Sequence, residues 1–363
     1  MTRLDRYLLR TVLLGGVGAV LAFTLLALIF QFIDEVDRVS ETYTLAKVLA
    51  FVVLTTPGYI YDFYPVAILI GALLSLGALA SGSELIVMRA SGMSILRMAR
   101  PVVLGGVMLA FFGMLVGETL GPWGQETARK MRAEATESAL SVNTRSGLWV
   151  RDGMRFVNAR RAVVGGQLLD VKLFEFDPQG HLTRSLTAAR AELTLQDRWD
   201  LYEVAYTDLT ADRVVAVTQP LLEAQSLFPA RVLDVAVVHP QHMSLPDLIA
   251  YVQHLEQNNL DSTAYRVALW GKVFAPLSVI VMLVLAMPFV FASQRGGNAG
   301  KWLFVGIVLG VVYITFNRIV NFMGPVYGVP AMLSASMPPL IFLILGLVAL
   351  SRLNPAVRAR HKQ

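Results

Sequence analysis

The sequence predicts an α-helical membrane protein with six transmembrane helices and an all-β domain inserted between the third span and the fourth. Three observations predict it. Hydrophobic residues fill 55% of the 363 positions and charged residues only 16%, against about 45–50% and about 25% in soluble domains. Six apolar runs are each long enough to cross a hydrocarbon core that takes about 20 helical residues. Between the third and fourth runs, residues 121–265 change character: they hold 14 basic and 18 acidic side chains, arranged among short strand-like segments. The overall charge of +5 is therefore no nucleic-acid signal, since the insertion is net −4 and the remainder +9, with its basic residues beside the apolar runs. There is no cysteine, which excludes disulfide frameworks, cysteine zinc sites, iron–sulfur clusters and cysteine nucleophiles.

The spans lie near 11–33, 58–80, 101–120, 268–291, 302–322 and 331–351. The first is interrupted only by Thr11, Thr24 and Gln31 and lacks a small-residue cleavage site before Asp34 and Glu35. It is too long for a signal peptide's apolar region and is expected to be retained. Direction follows from Lys and Arg in the short flanks, which accumulate on the cytoplasmic side. Arg3, Arg6 and Arg10, then Arg89, Arg97 and Arg100, then Arg295 and Lys301, then Arg352, Arg358, Arg360 and Lys362 all fall on one side. The opposite short loops, 34–57 and 323–330, contribute only Arg38 and Lys47. Both termini are expected in the cytoplasm and the insertion outside. The chain thus divides into 1–120 with three spans, 121–265 outside the membrane, and 266–363 with the other three.

The insertion reads as strand, turn, strand. Leu148 to Val150 and Arg155 to Val157 flank Asp152-Gly153, a hairpin pair in which glycine accepts a positive φ. The run Val171 to Phe176 leads into Asp177-Pro178-Gln179-Gly180, and further strand-like runs cover 186–195, 199–208 and 213–218. Such a series fits a sandwich, a jelly roll or an open barrel. Ser244-Leu245-Pro246-Asp247 has the form of a capping box and introduces Leu245, Leu248, Ile249, Val252 and Leu255 at helical spacing. That apolar stripe is expected to pack on the β domain rather than to form a ligand surface.

Chemical motifs are sparse. Gly296-Gly297-Asn298-Ala299-Gly300-Lys301 imitates a phosphate-binding loop, but Gly296 is one residue too close and Trp302 stands where a hydroxyl would hold magnesium. His239 and His242 flank Pro240 with no third ligand in view, so no metal site is expected. No Gly-x-Ser-x-Gly elbow and no convergent polar site among the spans is evident. Gly113, Gly117 and Gly121 on span three, with Gly306 and Gly310 on span five, are small-residue stripes that bring helices close, first of all within this chain. Arg318, beside Asn317 and Asn321 near the outer end of span five, marks either a polar path or a snorkelling side chain. The connection from Ser81 to Arg100 reads as a short helix over Glu84 to Ala90, broken at Ser91-Gly92 and resumed at Met93. Its apolar side, Leu85, Val87 and Met88, suits a membrane-surface helix or a peg in a cytoplasmic partner.

These residues resemble the LptF/LptG family of lipopolysaccharide-export permeases over essentially the whole chain. The likeness is carried by Leu4-Asp5-Arg6-Tyr7 at the amino end, by Ser83-Glu84-Leu85, Val87-Met88 and Ala90-Ser91-Gly92 in the connection, and by Gly147-Leu148-Trp149-Val150 with Asp152-Gly153 in the first hairpin. The connection motif is the most specific, and the other two place the chain on the LptG side of the family, with an LptF-like subunit as the alternative. The resemblance implies an inner-membrane permease with a periplasmic jelly-roll-like domain. It also implies a heterodimer with LptF on two copies of LptB, handing lipopolysaccharide to LptC. ATP and magnesium would be bound by LptB and no cofactor by this chain. The segment 82–98 would be the coupling helix, with Glu84 as the charged contact to LptB and Leu85, Met88 and Arg89 around it.

Lipopolysaccharide carries phosphates and acyl chains, so the family's extractor needs cations above an apolar cavity. Arg129 and Arg132 match its basic positions beyond span three, and Phe23, Leu26 and Phe30 on span one, Phe63 on span two and Tyr313 on span five are expected in the cavity wall. Gln31 stands where the family carries a lysine, which removes one charged contact, and Arg318 is the residue expected to compensate. A lipoprotein-releasing exporter subunit, with four spans and its large domain after the first, fits the span count poorly. A sensor would need an output domain, and a membrane enzyme a convergent polar site.

Overall fold

The structure is a computed structural model that describes residues 2–136, 148–163, 167–194, 198–210, 213–224, 227, 240–258, 260–292 and 299–353. Gly147, His239 and most of the glycine-rich stretch before Lys301 fall outside them. The chain forms two compact units, one from 1–37, 52–125 and 263–363, the other from 38–51 and 126–262.

The helices in chain order are α1 (Arg3–Val36), α2 (Leu45–Ser81), α3 (Glu84–Ala90), α4 (Ile95–Glu118) and α5 (Leu120–Thr136), then α6 (Leu245–Gln257), α7 (Thr263–Ala292), α8 (Ala299–Val326) and α9 (Ala331–Arg352). Among the described residues six stretches are long and apolar enough to cross a membrane: α1, α2, α4 running on through Arg132, α7, α8 and α9. Several outrun the expected limits. The helix α2 starts thirteen residues before 58 because Pro57 and Pro65 lie inside it without ending it. The Thr56 hydroxyl donates to the Val52 carbonyl at 2.6 Å, one turn back along the same helix.

Within the first unit α2 is the central element. Ile68, Leu69, Leu73 and Leu76 on it are fully buried. The glycine stripes explain how its neighbours approach it. A side chain at Gly113 or Gly117 of α4 would run into the rings of Tyr64 or Tyr61, and one at Gly306 or Gly310 of α8 would meet Ile70 or Val66. Both stripes therefore seat side chains of α2, the packing within one chain that the sequence favours. On α1, the backbone at Gly15 occupies the space a side chain on Gly71 would need.

The second unit holds β1 (Leu148–Asp152), β2 (Arg155–Val163), β3 (Gln167–Phe176), β4 (Leu182–Leu193), β5 (Trp199–Thr210) and β6 (Arg213–Ala224). They pair antiparallel in chain order, β1 to β6, in one open sheet, so the described strands do not close into a jelly roll. Gly153 (φ +60°) and Gly180 (φ +88°) make the expected turns, and Asp177 Oδ1 accepts the backbone N–H groups of Gln179 and His181 at 2.9 and 2.8 Å. Those bonds favour the charged carboxylate and hold the Asp177 pKa below its ordinary value. One sheet face buries Val157, Val171, Leu173, Leu186, Trp199 and Val204. The Ser244 hydroxyl accepts from the Asp247 N–H to start α6, and Tyr251 of α6 packs against that apolar face. At one end of the same face an alternating charge row crosses the strands. Arg155 Nε lies 2.8 Å from Glu175, and Arg184 grips both oxygens of Asp208 at 2.5 and 3.2 Å.

Candidate functional site

The connection between spans two and three folds as the sequence predicts, with one face reversed. The helix α3 covers Glu84–Ala90, and α4 begins at Ile95 with the Ser94 hydroxyl accepting the Arg97 N–H. Left-handed residues bound α3 on both sides: Ser83 at φ +62° and Gly92 at φ +91°. A non-glycine residue in that region is uncommon and mildly strained, so the chain bends sharply at either end of a single two-turn helix. Leu85 and Met88, expected on the partner-facing side, are only 3% and 5% exposed and join the core of the first unit. Their three-residue spacing puts them on one face, and a helix this short is held by burying that face. The outward face carries Glu84, Ile86 and Val87, while Arg89 is half-buried. Glu84 is engaged: the Tyr7 hydroxyl of α1 donates to its Oε2 at 2.8 Å.

A convergent polar group does exist among the spans, contrary to the sequence reading. Lys272 of α7 donates to Glu118 of α4 at 2.7 Å, with side chains only 6% and 15% exposed. The Lys272 ammonium also lies 5.5 Å from the centre of the Tyr61 ring on α2. Beside it, Asp62 is within electrostatic range of both Lys272 and Arg318, and Asp62 and Arg318 are themselves exposed. Four helices far apart in sequence thus contribute two acidic and two basic groups to one charge cluster, which is how ionisable groups are tolerated at membrane depth. The available signal was one ionisable residue inside each of four separate apolar runs. Their opposite signs, rather than any spacing, indicate a partnership.

The residues expected in the cavity wall separate into two groups. Leu26, Phe30 and Phe63 are 50%, 59% and 38% exposed, and Phe23 is half-buried against the core. Tyr313 is a correction: it is 5% exposed, its hydroxyl donates to Ser278 at 2.7 Å, and its ring meets Phe342 edge-on at 5.2 Å. A hydroxyl partner on α7 draws it into the core and away from any open wall. Gln31 accepts a hydrogen bond from the Thr55 hydroxyl at 2.7 Å, and its buried amide nitrogen has no hydrogen-bond partner among the described residues. Around these, α1 and α8 leave broad apolar faces uncovered, including Leu21, Leu25 and Ile29 on one and Phe304, Val311 and Phe322 on the other. In the second unit, Arg129 and Arg132 stand one turn apart on α5, both half-buried, and the Arg132 guanidinium lies 4.6 Å over the Phe51 ring.

Six apolar helices, a hinged surface helix between spans two and three, and a β insertion between spans three and four define a polytopic membrane protein with a large domain outside the bilayer. Residues 6–352 match the family described as Lipopolysaccharide export system permease LptF/LptG, and the chain belongs to that family. Among its relatives, the lipopolysaccharide export system permease protein LptG of Haemophilus influenzae is 32% identical over 353 residues, covering 96% of this chain and 98% of the relative. The protein of the same name from Escherichia coli K12 is 31% identical over the same shares.

Proposed function

We propose that this chain is the LptG-type permease subunit of an ATP-driven exporter that lifts lipopolysaccharide out of the inner membrane, paired with LptF on two copies of LptB and delivering to LptC. The observation that carries the reading is the membrane unit's amphiphile-shaped surface: uncovered apolar faces on α1 and α8, with the exposed Arg318 cation among the spans. A lipid with several acyl chains and anionic sugar phosphates matches both parts. In this reading the termini and α3 are cytoplasmic and the β domain periplasmic, in accord with the twelve-to-two bias of Lys and Arg in the flanks.

Lipopolysaccharide enters sideways between LptF and this subunit, drawn by basic groups in a weakly screened interfacial region. Its acyl chains meet Phe23, Leu26, Phe30 and Phe63 and its phosphates meet Arg318, while Arg129 and Arg132 are the candidate phosphate contacts of the second unit. Gln31 offers an amide where the family carries a charge. LptB binds ATP and magnesium and closes. The outward face of α3, Glu84 with Ile86 and Val87, takes up that motion, while Leu85 and Met88 fasten the helix to the bundle. The cavity narrows and the lipid is expelled upward; hydrolysis resets the complex. The two cavity states must differ in their affinity for lipid, since no equilibrium shifts otherwise.

The test is co-expression of this chain with tagged LptB and with LptF and LptC, purification by the tag, and assay of bound lipopolysaccharide and of ATP hydrolysis. Co-purification with lipid bound and hydrolysis stimulated by it is the expected result. A chain that assembles with none of the three and holds no lipopolysaccharide overturns the reading.

A further inference from the structure

The amino-terminal motif Leu4-Asp5-Arg6-Tyr7 has no part in the scheme above, yet the structure gives it a definite place. The first turn of α1 is fixed by its own capping box: the Thr2 N–H donates to Asp5 Oδ2 at 2.7 Å, and the Thr2 hydroxyl accepts the Asp5 N–H at 3.3 Å. Leu8 on the next turn is fully buried. From this anchored turn the Tyr7 hydroxyl crosses 77 residues of sequence to Glu84 Oε2. Glu84 is the first residue of α3, directly after the left-handed Ser83. The short helix is therefore a lever between two bends, seated by Leu85 and Met88, and its hinge-side end is tied to α1 by a side-chain hydrogen bond.

We propose that Tyr7 is a positioning residue for Glu84: it aims the carboxylate outward and makes α3 and the start of α1 move as one body. The tie gives the motion of α3 a direct route into α1, the span whose apolar face is least covered by the rest of the chain, in addition to the route through α2 and α4. The argument rests on the docking role given to Glu84 above. A hydroxyl-to-carboxylate bond at an exposed site contributes modestly, so its value here lies in geometry more than in stability.

The experiment uses the complete complex and compares the parent with Tyr7→Phe, Glu84→Gln and the double variant. Tyr7→Phe is expected to assemble with LptB and melt at the parent temperature, while lipopolysaccharide released per ATP hydrolysed falls about three- to tenfold. Glu84→Gln is expected to weaken LptB association as well, and in the double variant the loss of coupling should be smaller than the product of the single losses. A second measurement avoids any dependence on export. The chain has no cysteine, so Leu4→Cys and Ala90→Cys carry a unique spin-label pair whose distance distribution should stay narrow through the ATP cycle in the parent and broaden with Tyr7→Phe. An unchanged distribution together with unchanged release per ATP overturns the proposal. If Glu84→Gln itself alters neither LptB association nor coupling, it is the docking reading of α3 that fails.

Discussion

Helices α1 and α2 are nearly equal in length, 34 and 37 residues, yet the one whose membrane-crossing stretch is the more apolar is the less buried. Over their most apolar stretches, 11% of α1 and 72% of α2 is buried within the chain. In water that order would be reversed. In a bilayer, lipid tails are as apolar as leucine, so hydrophobicity gives no drive for one helix to bury against another. What selects α2 as the centre is fit: small residues on α4 and α8 leave room for Tyr61, Tyr64, Val66 and Ile70, and the charged side chain of Lys272 sits buried beside Tyr61. The helix α1 meets its neighbours along one narrow side and keeps the rest free, as a wall for lipid or for a second subunit requires.

The largest effect should come from the charge cluster beside α2. Replacing Lys272 by Met takes the ammonium away from the half-buried Glu118 carboxylate and should lower stability by about 3–5 kcal/mol, read as loss of monodisperse protein in detergent. Lys272→Met with Glu118→Leu should recover most of that loss, because both charges are then gone; a double variant as unstable as the single one would show that the pair is not what holds this seam. Next, Leu69→Ala in the middle of α2 should cost about 2–5 kcal/mol through the cavity it leaves, measured by thermal melting of the intact protein.

A smaller effect, and one that depends on pH, belongs to the β unit. Side-chain hydrogen bonds from Arg184 hold the Asp208 carboxyl below its ordinary pKa, and Asp208 in turn raises that of the guanidinium. A carboxyl with a depressed folded pKa contributes stability above its unfolded value and loses it as pH falls through the folded one. Asp208→Asn should therefore lower the melting temperature at about pH 7, and the gap from the parent should close below about pH 4. An undiminished gap under acid would mean that the ion pair adds nothing. Smallest of all, Leu25→Ala on the free face of α1 should shift stability by no more than about 0.5 kcal/mol. If it destabilised as much as Leu69→Ala, the contrast between the two helices would collapse.

Much of the molecule was legible because local physics wrote it. Long apolar runs had to become membrane helices, Asp152-Gly153 and Asp177 through Gly180 had to turn, and Ser91-Gly92 had to break the connection after α3. The residues that resemble the LptF/LptG family lie in those local features, and the family followed from them. Placement on a face was less legible. Leu85, Met88 and Tyr313 are apolar or aromatic residues that could have faced a partner or a cavity, and the structure buries all three, because a two-turn helix needs an anchor and the Tyr313 hydroxyl finds Ser278.

By itself the sequence determined six spans, the position of the β insertion and the strands within it, each set by periodicity and turn chemistry over a few neighbouring residues. Only the tertiary structure decided that α2 is central and α1 peripheral, that Asp62, Glu118, Lys272 and Arg318 gather into one cluster, and that Tyr7 reaches Glu84. Those are contacts between residues tens to hundreds of positions apart, made by steric fit and charge pairing in surroundings where apolarity no longer distinguishes inside from outside.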